Sequence, residues 1–257
     1  ASHARCAWPG VRRLACLLAV VVTAVALTGC RFAKERVTGF ITEPRSIATA
    51  DIDGNGTVDA VVGYPVASAW AATPVLQDRF GFWQRDEDAV AYVSELLAFT
   101  DLEGDGRPDL VAAGSNVVLT LANRDGRLVQ EGDLYVLDGS TTALTAGTSL
   151  GGVRLVVVAF QQSGTSNIVS YEARDGRLVE RQRFSRAGGA ARVMALHDVS
   201  GDGRADLVVG TENGSIQIYR QTTTTGQFST TPTTLTAPGH TAAVTALAVG
   251  DVATPDL

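Results

Sequence analysis

The chain of 257 residues has three cysteines, Cys6, Cys16 and Cys30, and none beyond its first thirty positions. A fold that begins after Cys30 therefore has no internal disulfide, even in an oxidising compartment, and a disulfide-stapled scaffold is excluded. Lysine is nearly absent, with Lys34 alone against 20 arginines, a bias of the kind a GC-rich genome produces. Histidine is scarce too: after Cys30 only His197 and His240 remain. Neither a His-Glu-x-x-His zinc motif nor a phosphate-cradling glycine loop occurs. Helical periodicity with caps is weak after Cys30, and Glu87 to Leu97 is the one stretch with any, which argues against a helical fold. The single long apolar run, Leu14 to Thr28, has 15 residues, short of the roughly 20 that span a bilayer comfortably.

Arg5, Arg12 and Arg13 precede that run, and it ends in Leu27-Thr28-Gly29-Cys30. A basic start, a short apolar middle and small residues before a cut site describe a secretory signal. The ending resembles a bacterial lipobox, which implies cleavage before Cys30 and a diacylglyceryl group on its sulfur. A plain signal peptide and an uncleaved anchor are the alternatives. The expected organisation is 1–29 as lipoprotein signal peptide, 30–45 as lipidated cysteine and tether, and 46–257 as repeats. The expected location is extracytoplasmic, on the membrane of a bacterial cell envelope. Removing three arginines and no acid leaves 18 basic against 27 acidic groups, a formal net charge of −9. That balance disfavours nucleic acid, whose phosphates need Lys and Arg, and suits divalent cations.

Ten of those carboxylates sit in three stretches of one pattern: Asp51-Ile-Asp-Gly-Asn-Gly-Thr-Val-Asp59, Asp101-Leu-Glu-Gly-Asp-Gly-Arg-Pro-Asp109 and Asp198-Val-Ser-Gly-Asp-Gly-Arg-Ala-Asp206. The first two begin 50 residues apart and the last two 97 apart, so a further copy is expected midway. Ala146-Gly-Thr-Ser-Leu-Gly-Gly-Val-Arg154, followed by Leu155 to Val158, meets that spacing without a carboxylate. A last partial copy starts at Gly250-Asp251 and reaches Pro255-Asp256-Leu257. The string Arg-Asp-Gly-Arg-Leu-Val recurs at 124–129 and 174–179, and Gly226 follows Gly176 by another 50 residues. Asp-Gly between apolar segments predicts a two-residue hairpin turn.

Each unit thus reads as four strands, one before the loop, one after it and two around the later turn. Leu97 to Phe99, Val193 to Leu196 and Val244 to Val249 precede loops; Ala60 to Val62, Leu110 to Ala112 and Leu207 to Val209 follow them. Unbroken apolar runs predict strands buried on both faces. Val117 to Leu121 and Ile216 to Tyr219 alternate more, as outer strands do. The Thr-rich stretch 222–235 falls within a unit and reads as a turn and outer strand, with a glycosylated stalk as the alternative.

Four short strands per unit of about 50 residues point to propeller blades. Here the chain resembles the FG-GAP and VCBS repeat families, whose calcium-loop blades also build the head of integrin alpha subunits. The resemblance runs from about Ser46 to the end. It implies an all-β fold, a β-propeller of four-stranded blades with calcium loops. Residues 46–257 hold about four and a quarter units, where propellers typically have about four to eight. With Ala1 at the start and Leu257 inside a fifth unit, a seven-bladed original truncated at its C-terminus is expected.

By the same resemblance, and by the reach of oxygen ligands round a glycine-containing loop, about three structural Ca²⁺ sites are implied. The first uses the side chains of Asp51, Asp53, Asn55 and Asp59 with the Thr57 carbonyl. The second uses Asp101, Glu103, Asp105 and Asp109 with the Arg107 carbonyl, and the third Asp198, Asp202 and Asp206 with the Arg204 carbonyl and the Ser200 hydroxyl or a water. Glu103 and Ser200 depart from the Asp or Asn expected at position 3. An EF-hand, the competing pattern, needs a bidentate Glu at position 12, where this chain has Val62, Ala112 and Val209. Mg²⁺ prefers more rigid octahedral sites.

No catalytic residues are assigned. His197 beside Asp198 reads as a strand-end residue rather than a base, and Arg181 to Arg192 as a solvated hairpin rather than an anion site. Trp70 and Trp83 read as packing residues, with a sugar platform as the alternative. Two functional classes follow: a lipid-anchored, calcium-stabilised propeller that binds an extracellular protein or glycan, or the non-catalytic propeller part of a larger secreted enzyme acting on polysaccharide or another extracellular polymer.

Overall fold

The computed structural model describes residues 43–250 except 67–68, 86–89, 92, 150–151, 224–225, 237–238 and 240. The signal segment, Cys30, most of the tether and the partial copy after Gly250 lie outside the described residues.

Four antiparallel sheets follow one another along the chain. The first holds β1 (Ser46–Ala50), β2 (Asp59–Val66), β3 (Ala69–Gln77) and β4 (Trp83–Arg85), side by side in that order. The second holds β5 (Leu96–Thr100), β6 (Asp109–Gly114), β7 (Val117–Arg124) and β8 (Arg127–Val129), with β9 (Leu134–Val136) on the other half of β7. The third holds β10 (Ser140–Thr148), β11 (Arg154–Gln162), β12 (Thr165–Arg174) and β13 (Arg177–Arg186). The fourth holds β14 (Ala191–His197), β15 (Asp206–Thr211), β16 (Ser215–Tyr219) and β17 (Thr233–Thr236). First strands touch in series, β1 with β5, β5 with β10 and β10 with β14. The sheets are therefore blades fanned about an axis with their first strands innermost, a four-blade propeller arrangement that contains no helix among the described residues.

Alternation of side chains across a strand explains the unbroken apolar runs. In β11, Leu155, Val157 and Ala159 pack with Ile168, Leu207 and Val209 in the core shared with the fourth blade. Val156, Val158 and Phe160 pack with Val111 and Val118 of the second blade. β6 divides likewise: Leu110 and Ala112 face Val61 and Ala72 of the first blade, while Val111 and Ala113 face the third. A second strand sandwiched between neighbouring blades has no solvent face, so polar alternation disappears.

The two predicted Asp-Gly hairpins form with Arg124 paired to Arg127 and Arg174 to Arg177. Asp125 and Gly126 have φ of 54° and 85°, as the two central positions of a type I′ turn require. Thr233–Thr236 is an exposed outer strand, as read from the sequence.

Other expectations are corrected. The strands before the loops are only part-buried, as β1 and β5 illustrate, because an innermost strand turns one face to the axis. In β7, Val118 to Leu121 are all buried, because successive side chains pack on opposite neighbours, Val118 in the core shared with the third blade and Leu119 and Leu121 in the core shared with the first. Val244 to Val249 forms no ladder; a first strand gains its ladder from the strand after its loop, and none follows among the described residues. The helix-like pattern ending at Leu97 gives way to β5, which pairs with β6 from Leu96 onward.

Glu172 on β12 supplies a test of pH dependence. It is 8% exposed and accepts hydrogen bonds from Arg174 Nε (2.7 Å) and Arg181 Nε (2.7 Å). Burial pushes its carboxyl up, but the two arginines outweigh burial and hold it below the ordinary 4.5. A carboxylate depressed in the folded state contributes stability that is present above its unfolded value and lost as pH falls through its folded value. Glu172→Gln is therefore expected to lower the melting temperature at pH 7 and to flatten its decline below pH 4.5 relative to wild type, as read by thermal unfolding across pH.

Candidate metal centre

The three acidic loops join first to second strand in the first, second and fourth blades, so all lie at the same end of the array. Each closes on the aspartate at position 9, which opens the second strand: Asp59, Asp109 and Asp206 are at most 1% exposed. Both carboxylate oxygens are used. Asp59 accepts from Ile52 N (2.8 Å) in its loop and from Gln77 N (2.7 Å) at the end of β3. Asp109 accepts from Leu102 N (2.7 Å) and Asn123 N (2.7 Å), and Asp206 from Ser200 N (3.0 Å) and Gln221 N (2.9 Å). Burial pushes the Asp59 and Asp109 carboxyls above the ordinary range even though these amides oppose it.

Position 1 gathers the tip of the loop. Asp51 accepts from Gly56 N, Asp101 from Gly104 N and Gly106 N, and Asp198 from Gly201 N and Gly203 N, all within 3.0 Å. Glycines at positions 4 and 6 of these loops have φ between 73° and 86°, where side chains are disfavoured. Position 5 caps position 7: Asn55 Oδ1 accepts from Thr57 N, Asp105 from Arg107 N and Asp202 from Arg204 N.

The loops differ at position 3. In the first, Asp51, Asp53 and Asp59 bring one carboxylate oxygen each within 4.8 Å of the others, the only such acidic group among the described residues. Asp51 Oδ1 is buried there with no hydrogen-bond partner. A buried carboxylate oxygen without a donor is costly, and a bound cation would remove that cost. The oxygen-only donor set, with Asn55 beside it, fits a hard cation such as Ca²⁺. In the second loop, Arg124 holds Glu103 through Nη1 (2.5 Å) and Nη2 (2.8 Å), and keeps its carboxyl below the ordinary range. Asp101, Asp105 and Asp109 remain as its acids, with Arg107 bridged to Asp125. In the third, the Ser200 hydroxyl lies 3.4 Å from Asp198 Oδ1, and Arg204 reaches Asp202 at 3.3 Å.

The carboxylate-free copy is tighter than the acidic loops. β10 runs to Thr148, and Ser149 N donates to Val153 O across a short turn. Arg154 stands where position 9 would be, and its guanidinium packs against Gly104 of the preceding blade's loop. Gly147-Thr-Ser-Leu-Gly151 here also spells the Gly-x-Ser-x-Gly of hydrolase elbows. That motif needs a strand-to-helix turn with an exposed serine, whereas Ser149 is 7% exposed between two strands.

The other residues singled out in the sequence lie outside the three acidic loops. Arg186, read from the sequence as part of a solvated hairpin, is 8% exposed and donates to Ser166 Oγ, Gln217 Oε1 and the Gly189 carbonyl. Trp70 and Trp83 are half-buried on β3 and β4, and His197 ends β14 beside Asp206 in register. The residues missed in the sequence are the partners of position 9, namely Gln77, Asn123 and Gln221. Their signal was an amide side chain at or near the end of each third strand.

Because Asp109 holds two buried backbone N–H groups, Asp109→Ala is expected to cost roughly 3 kcal/mol, two charge-assisted hydrogen bonds' worth. Equilibrium urea unfolding in calcium-free buffer measures it, and a loss under about 0.5 kcal/mol would contradict this account.

No curated protein matches the sequence. The family model described as an FG-GAP-like repeat matches residues 198–252, which contain the third acidic loop and β15 to β17. Among solved structures, the chain is similar to the Dos1 propeller, with 10% identity and a TM-score of 0.52 over 77% of this chain and 49% of that one. It is also similar to a putative 6-phosphogluconolactonase from Bacteroides fragilis, with 13% identity and a TM-score of 0.51 over 76% of this chain and 56% of that one. The chain thus spans about half the length of these structures, and at such identities the likeness concerns the fold alone. Residues 198–252 are thus similar to an FG-GAP-like repeat, and the described residues form a β-propeller arrangement.

Proposed function

We propose that the chain is a calcium-stabilised, lipid-anchored propeller of the extracytoplasmic surface that binds an extracellular protein or glycan. The observation that carries the metal reading is the buried, donorless Asp51 Oδ1 among the carboxylates of Asp53 and Asp59. Ca²⁺ supplies charge neutralisation and ligand bonds there. The chain's own residues do the rest: Asp59 fixes the loop to β3, Gly54 and Gly56 allow the tight path, and Asp53 and Asn55 close it from outside. The binding reading is supported by the FG-GAP-like repeat and by three loops at one end of the blades, a rigid platform for variable contacts.

A ligand at about 100 times its Kd stabilises by about 2.7 kcal/mol, and for a chain of this size each kcal/mol moves Tm by about 2–4 °C. Chelation is therefore expected to lower Tm by roughly 5–10 °C, reversed by millimolar Ca²⁺ and not by Mg²⁺. In Asp51→Ala the calcium response of the first loop should disappear. A melting curve indifferent to chelator would sink the metal reading.

Anchoring has its own test. Expressed in a bacterial host, the chain is expected to incorporate labelled fatty acid at Cys30 and to partition into detergent. Cys30→Ala should abolish both, and labelling that persists in that variant would refute the assignment.

A further inference from the structure

Neighbouring blades meet at one recurring place. The turn between the third and fourth strands of one blade sits on the acidic loop of the blade before it. At the first boundary, Gly126 lies so close to Asp53 that a Cβ there would come within 3.1 Å of the Asp53 backbone. At the second, Gly176 N donates to Leu102 O (3.4 Å). Each turn covers the apolar residue at position 2: Ile52 and Leu102 are 3% and 2% exposed. Val199, the same position in the fourth blade, which no blade follows among the described residues, is 45% exposed.

Asn123 makes the first contact continuous between two loops. Its backbone N–H donates to Asp109, position 9 of its own blade's loop. Its side-chain Nδ2 donates to Ile52 O (2.8 Å) in the preceding blade's loop, and also to Pro108 O (3.2 Å). Its Oδ1 accepts from Gly126 N (2.9 Å), which fixes the turn. Ile52 N in turn donates to Asp59. The two position-9 carboxylates are thus joined through the backbone of Ile52 on one side and the backbone and side-chain amide of Asn123 on the other, Asn123 being 1% exposed. At the third boundary the preceding loop is the carboxylate-free copy, and a different device is used: Gln182 and Phe228 exchange two hydrogen bonds (3.0 and 2.7 Å), and Ser170 Oγ donates to Gly226 O. The continuous link therefore occurs where both loops are acidic.

We propose that Asn123 is a coupling residue that ties the loop at 51–58 to the loop at 101–108, so that ordering of one loop is transmitted across the blade boundary to the other. Its consequence for metal binding rests on the calcium reading above: filling either loop then favours filling its neighbour, a cooperative pair of sites in adjacent blades.

Hydrogen exchange by mass spectrometry on the full chain, first without calcium, tests the coupling itself. Asn123→Ala leaves the backbone bond to Asp109 in place and removes the cross-blade donor. Exchange at 51–58 is expected to rise about tenfold, the loss of one to two hydrogen bonds, while β11 in the third blade stays protected. Gly126→Ala, strained at φ +85° and crowded against Asp53, should act in the same direction with Asn123 intact. Gln182→Ala, at the boundary without an acidic loop, should leave 51–58 unaltered. Unchanged exchange at 51–58 in both Asn123→Ala and Gly126→Ala would overturn the proposal. Calcium chloride is then titrated. Protection of the two loops is expected to rise over one concentration range in wild type and over two in Asn123→Ala, and independent ranges in wild type would overturn the cooperative half. Loops that gain no protection from Ca²⁺ at all would instead refute the calcium reading, leaving the metal-free coupling to be judged on its own result.

Discussion

The arrangement depends on a buried charge that the backbone satisfies. Asp59, Asp109 and Asp206 each stand at the start of a second strand with almost no exposed surface, and each binds one amide from its loop and one from the end of the third strand. An unpaired carboxylate in that position would be expensive, and so would the amides it leaves behind. The sequence pattern at 51–59, 101–109 and 198–206 is therefore a device for attaching a loop to a sheet. The calcium proposed for the first loop is compatible with that use, because a carboxylate oxygen has a second lone pair to offer a cation.

Around those fixed loops the blades pack by side-chain alternation. A second strand such as β11 sends successive residues to opposite neighbours, so its stability belongs to two interfaces at once. The blade boundary adds a polar contact at its loop end, where a turn glycine allows close approach and Asn123 or Gln182 completes the hydrogen bonding. Apolar packing supplies the bulk of the cohesion and the polar contact fixes the register between blades.

Glu103 shows how one residue divides loops that look alike in sequence. At position 3 it matches the acidic pattern, but its longer side chain reaches Arg124, which also binds Glu131. Asp53, one methylene shorter, stays with Asp51 and Asp59. Three loops of one sequence pattern therefore present different charge arrangements, and only the first gathers three carboxylates within 4.8 Å.

The sequence by itself determined the strands after the loops, the Asp-Gly hairpins, the order of four blades between Ser46 and Gly250 and the place of the acidic loops between first and second strands. These follow from local rules: unbroken apolar runs, glycines required at positive φ, and acids at fixed spacing. Tertiary structure alone decided the rest. Asn123 meets Ile52 across 71 residues of chain, Arg186 is buried by Gln217 across 31, and β7 is covered by two strands at once. Which loop acid meets an arginine depends on strands brought together only when the sheet folds, as Glu103 and Arg124 are across 21 residues of chain, and no spacing along the chain records that.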